Sequence, residues 1–185
     1  MGDPAAGVKA LRWSVTAMSD LAERLPSAGS WDRQQGSALV GETVWRVTIV
    51  DATLVRYHPD AYDGVLAGQA PGERRMTQGT MAGLRFVRNR MSDEADSAGF
   101  ICLGAGDPGP GDGPVSAWTW KSVPEPALAS LLPRGQAWEM TRYRAYQAHL
   151  AGHTIGEVFG RATAFLRLAA ASAASAADAS APAPH

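Results

Sequence analysis

Residues 38–57 read "ALVGETVWRVTIVDATLVRY", and the fold turns on whether this run is a helix or a strand. Valine, isoleucine and threonine dominate it, which favours an extended chain. Length argues the other way, because strands usually run about five or six residues. Val40, Val44, Val47, Asp51 and Leu54 recur at spacings of three and four, one face of a helix. We read the run as a helix, with Ser37 as its N-cap. It ends at "YHPDAYDG", where Pro59 intervenes and a short helical turn can follow through Leu66.

The same periodicity extends outward. Over residues 4–25, Val8, Leu11, Val15, Met18, Ala22 and Leu25 form one apolar face, with Asp3 as cap and Pro4 in the first turn. Residues 73–93 make a third helix, with Thr77, Met81, Leu84, Arg88 and Met91 along one side. Residues 136–150 return to helix with Met140, Tyr143 and Leu150 inward, and Gly152 is a natural stop. Thr154 and Glu157 then form a capping box that opens the last helix.

Between the third helix and this pair lies an irregular insertion, residues 101–135. Its "LGAGDPGPGDGPVS" (103–116) reads as a surface loop, "AWTWKSV" (117–123) as a short extended segment, and "PEPALASLLP" (124–133) as a short helix boxed by prolines. From residue 169 the chain is alanine, serine and proline, the composition of a frayed helix end and a disordered tail. The expectation is therefore all-α: a bundle of about five principal helices in a single domain, 1–168, with a glycine- and proline-rich insertion and a tail, 169–185.

Composition narrows the function. The hydrophobic fraction is 45% and the charged fraction 19%, values of a globular domain. A net charge of -1 argues against a strong nonspecific nucleic-acid binder. Cys102 is the only cysteine, so no internal disulfide forms and no Cys/His zinc spacing exists; no metal or cofactor is expected. "MGDPAAGVKA" lacks the charged and apolar regions of a secretory leader, and no apolar run reaches the roughly 18 residues of a membrane span. A cytoplasmic protein is the expectation.

The segment "RFVRNRMSDEAD" (85–96) stands out. Arg88 falls on an apolar stripe, and a buried guanidinium needs a partner. Asp51 is the matching anomaly on the 38–57 helix. If the two helices pack antiparallel, Asp51 and Arg88 can form a structural ion pair, leaving Arg85 and Arg90 as surface charges. The competing reading is a site. Arg142 and His149 share one face of "RYRAYQAH" (142–149), where arginine and tyrosine could grip a nucleotide. His58 precedes a proline at a helix end, a turn position within reach of a binding role. "GAGDPGPGDG" lacks the end of a phosphate loop, and Gly156 and Gly160 have the spacing that lets a neighbouring helix approach closely.

An "RN" pair near the end of a core helix of a bundle resembles the HEPN (higher-eukaryote and prokaryote nucleotide-binding) superfamily, many of whose members are metal-independent ribonucleases. The resemblance implies that Arg88 stabilises charge on a phosphate, that Asn89 follows it, and that a histidine four to six residues on moves the proton. It also implies a site completed across a two-fold dimer. This chain carries Asp93, Glu94 and Ala95 where that histidine is expected. "GLRFVRNRM" and "RGQAWEMTRYRAYQAHLAG" also resemble uncharacterised actinobacterial proteins. Two functions fit these residues. One is a catalytically degenerate interaction or regulatory module, its partners a second copy of the chain or, more weakly, RNA or a nucleotide. The other is a ribonuclease or nucleotide-processing enzyme using Arg88, Asn89 and Asp93.

Overall fold

A computed structural model describes residues 4–25, 33–94, 99–105, 116–126 and 132–180. Among them are six helices and one two-stranded sheet. The helices are α1 (Pro4–Arg24), α2 (Arg33–Tyr57), α3 (Pro59–Gly68), α4 (Pro71–Glu94), α5 (Pro133–His149) and α6 (Ile155–Ser180). The strands are β1 (Ile101–Ala105) and β2 (Ser116–Trp120). The protein is an all-α bundle, and no described helix is long and apolar enough to cross a membrane.

The run at 38–57 is helical. Val40, Val44, Val47, Asp51 and Leu54 are all buried, as one helical face requires. Its threonines fit because their hydroxyls find partners inside the helix: Thr43 donates to the Leu39 carbonyl at 2.7 Å and Thr48 to that of Val44 at 2.8 Å. Ser37 is not the cap. The helix starts at Arg33, and Ser37 is buried inside it. Here the side chain of Trp118 lies so close to Gly36 that a Cβ would come within 2.8 Å of its Cζ2. A tertiary contact accompanies a turn that no local signal marked.

The segment after Pro59 is a full helix of 10 residues, which makes α3 the sixth member of the bundle. Pro59 stands at its first turn, where a missing N–H costs nothing. Asp3 lies outside the described residues.

Residues 106–115, most of the expected loop, lie outside the described residues, and the described residues on either side of them form two strands. β1 and β2 pair antiparallel, Ile101 opposite Trp120 and Leu103 opposite Trp118. Trp118 and Trp120 share a face and are buried with Ile101. The hairpin is tied to the turn between α5 and α6: the Trp120 amide donates to the His153 carbonyl at 3.0 Å, and the Gly152 amide donates back to the Trp120 carbonyl at 2.8 Å. Gly152 has φ +82°, so the expected stop is in place. Half of the proline-boxed segment, 127–131, lies outside the described residues.

Thr154 and Glu157 form the expected reciprocal box, with the Thr154 amide donating to the carboxylate at 3.0 Å and the Glu157 amide donating to the threonine oxygen at 3.2 Å. α6 then runs much further than expected. It is helical through Ser180, and Ala169, Ala170, Ala173 and Ala174 are buried. The alanines are not a loose tail, because α1 packs on α6 and small side chains let two helices lie close together. Residues 181–185 lie outside the described set.

α4 and α5 form the most extensive helix pair. The close approach comes from Gly79 and Gly83, not from Gly156 and Gly160. A Cβ on Gly83 would meet Leu150 Cδ1 at 2.6 Å and the Tyr146 backbone at 3.1 Å, and one on Gly79 would overlap the His149 ring. Gly156 and Gly160 have nothing within 4 Å of that position. An aromatic cluster completes this side of the core, with Tyr146 packed on Phe86 at 5.6 Å and on Trp120 at 6.3 Å between ring centroids.

Candidate functional site

Asp51 is 1% exposed, deep on the inner face of α2. Its partner is Arg85, not Arg88. Arg85 donates through Nε to one carboxylate oxygen at 2.6 Å and through Nη2 to the other at 2.8 Å. Tyr62 on α3 adds its hydroxyl at 2.9 Å. α2 and α4 do run antiparallel here. A step of one turn along α4, from Arg85 to Arg88, therefore moves back along α2 from Asp51 toward Trp45. The Arg88 guanidinium lies over the Trp45 ring, 5.2 Å from its centroid.

The two-armed geometry is the strong form of an arginine–carboxylate pair. Burial works against the charge on Arg85, but the hydrogen bonds and charge of Asp51 more than offset it, so the group is held above its ordinary value. Burial, reinforced by the Asp51 charge, pushes the Tyr62 phenol up, so it stays a neutral donor. Tyr62 is further held by an edge-on contact with Phe165 on α6 at 4.9 Å.

This network forms one wall of an open cleft of about 360 Å³ between α2, α3 and α4. Val55, Leu66 and Met81 give it apolar walls; Asp63, Gln78 and Arg85 give it polar ones. His58 sits just outside, at the turn between α2 and α3. Its amide donates to the Leu54 carbonyl at 2.8 Å and its carbonyl accepts from the Tyr62 amide at 3.1 Å. The side chain makes no capping bond.

Asn89 and Arg142 meet on a residue that periodicity did not single out. Glu139 is buried on α5; Asn89 donates its Nδ2 to Oε2 at 3.2 Å, and Arg142 Nη1 approaches the same oxygen at 3.5 Å. Arg142 also lies over the Trp138 ring, 5.7 Å from its centroid. A signal existed: Glu139, Tyr143, Tyr146 and Leu150 recur at spacings of four, three and four. A carboxylate on that stripe is the same anomaly that marks Asp51. The result is a strip across three helices, from Trp45 through Arg88 and Asn89 to Glu139, Arg142 and Trp138. Trp45 is 40% exposed and Trp138 59%.

His149 is not part of this strip, although it shares a helix with Arg142. Its ring rests on α4 at Gly79. Burial, then the charges of Arg161 and His153, push its pKa below the ordinary histidine value. Arg161 is itself held by the Thr80 hydroxyl at 3.2 Å. The side chain of Asp93 lies outside the described residues. Among the described residues, no group of three or more histidine, cysteine, aspartate or glutamate side chains is placed to hold a metal ion.

No family model, curated protein or solved structure matches the chain.

Proposed function

We propose that the chain is a helical interaction or regulatory module of the cytoplasm, HEPN-like in build, whose arginine–asparagine pair serves packing rather than RNA cleavage. The observation that carries this reading is the engagement of Asn89 by Glu139. A buried carboxylate at 3.2 Å puts negative charge where a scissile phosphate would need to approach. Arg88 beside it lies on Trp45, and the chain carries Asp93 and Glu94 where the family has its histidine.

The exposed tryptophans support an interaction role. Tryptophan and arginine are enriched among the few residues that carry most of the binding energy at protein interfaces. Trp45 and Ile49 lie four apart on the outer face of α2, exposed by 40% and 46%. The partner that this reading favours is a second copy, joined across the α2–α4 face.

Incubating the protein with labelled RNA beside its Arg88→Ala variant tests the choice. No cleavage that depends on Arg88 is expected; such cleavage would establish the ribonuclease reading instead. Sedimentation tests the partner: a dimer is expected from the native chain and a monomer from Trp45→Ala.

A further inference from the structure

We propose that the cleft between α2, α3 and α4 binds a free α-amino acid with an apolar side chain. The proposal is independent of the role given to Arg88 and Asn89.

The wall formed by the network of Asp51, Arg85 and Tyr62 is prebuilt. Two hydrogen bonds to Asp51 lock the plane of the Arg85 guanidinium, and the Tyr62 hydroxyl braces the same carboxylate. Nε and Nη2 are committed, while Nη1 has no hydrogen-bond partner among the described residues. The arginine side chain is 33% exposed and the aspartate side chain 2%, so Arg85 borders the open cleft while its counter-charge stays buried. A buried ion pair is poor value as a stabiliser, since well-packed apolar residues do as well. A guanidinium fixed in orientation is, by contrast, what a carboxylate ligand needs.

Two further groups on the walls are uncommitted. Asp63 on α3 and Gln78 on α4 line the same space, and neither side chain has a hydrogen bond or ion pair among the described residues. A simple anion would meet Asp63, and a simple cation would meet Arg85. A molecule with both charges satisfies both, its carboxylate on Arg85 and its ammonium on Asp63, with Gln78 as an additional polar contact. Val55, Leu66 and Met81 then receive an apolar side chain. The cleft, about 360 Å³, has room for a ligand of this size.

Titration calorimetry of the full chain with leucine, methionine, valine, isoleucine and phenylalanine is the test, run beside N-acetyl-leucine and leucinamide. At least one of the free amino acids should bind, and blocking either its amine or its carboxyl should weaken binding tenfold or more. Asp63→Asn should weaken it tenfold with an unchanged melt, because Asp63 is exposed. Val55→Trp, also at an exposed position, should fill the cleft and abolish binding. No heat from any of the five, equal binding of the blocked forms, or indifference to Asp63→Asn would each overturn the proposal.

Discussion

Asp51 and Arg85, thirty-four residues apart in sequence, face each other across α2 and α4 through paired hydrogen bonds of 2.6 and 2.8 Å. The carboxylate is buried, so removing its partner strands a charge. Arg85→Met should destabilise the protein by about 3–5 kcal/mol. Arg88→Met removes a guanidinium that lies on the exposed ring of Trp45 and should cost about 1 kcal/mol. Urea unfolding of both variants checks the order. A larger loss for Arg88 would reinstate it as the structural partner.

Tyr62→Phe keeps the ring on Phe165 but deletes the third hydrogen bond to Asp51. Hydrogen bonds to charged groups contribute about 1.5–3 kcal/mol. A loss in that range is expected in the same unfolding assay, with the cleft between α2, α3 and α4 still open.

Four glycines divide into two pairs. Gly83→Ala places a methyl against Leu150 and the Tyr146 backbone, and should cost about 1–3 kcal/mol by overpacking. At Gly79 the obstacle is the His149 ring, a side chain that can swing aside, so its cost should be smaller. Gly156→Ala and Gly160→Ala meet open space on α6 and should stabilise by roughly 0.5–1 kcal/mol each. Thermal melts of the four variants would expose a misplaced α4–α5 contact if Gly83→Ala proved neutral.

Acidification should weaken the fold in two stages. His149 has a lowered pKa in the folded protein, so the unfolded chain takes up its proton first. Its contribution is complete above the ordinary histidine value of 6.5 and is lost as pH falls below it and through the depressed folded value. Glu157 is also lowered, chiefly by the Thr154 amide and hydroxyl, so its contribution is present above the ordinary 4.5 and lost below. Melts of the native chain and His149→Gln at pH 7.5 and pH 5.5 isolate the first stage. The variant should show a smaller drop.

Ala173 lies buried in the alanine run that joins α6 to α1. Ala173→Asp should destabilise by more than about 2 kcal/mol, since the charge would have no prepared partner. An unchanged melt would return the run to the status of a loose end.

Much of this architecture follows from local pattern. Spacings of three and four identified the buried face of α2, and Thr154 with Glu157 identified the start of α6, because both signals act within one or two turns of chain. They also flagged Asp51, since a carboxylate on an apolar stripe is anomalous before any partner is known. The partner was a different matter. Arg85 and Arg88 are one turn apart, and only the register of α4 against α2 decides which of them reaches Asp51. That register is set by the packing sum of the whole interface, including the floor supplied by Tyr62 from α3. Glycine and alanine were ambiguous for the same reason. Gly79 and Gly83 have the same spacing as Gly156 and Gly160, yet only the first pair has a helix against it. The residues from Ala169 to Ala174 lack the size to announce a core and become one because α1 lies over them. Local sequence determines which face of an element turns inward; the tertiary structure decides what that face meets, because contact energies between elements depend on positions far apart in the chain.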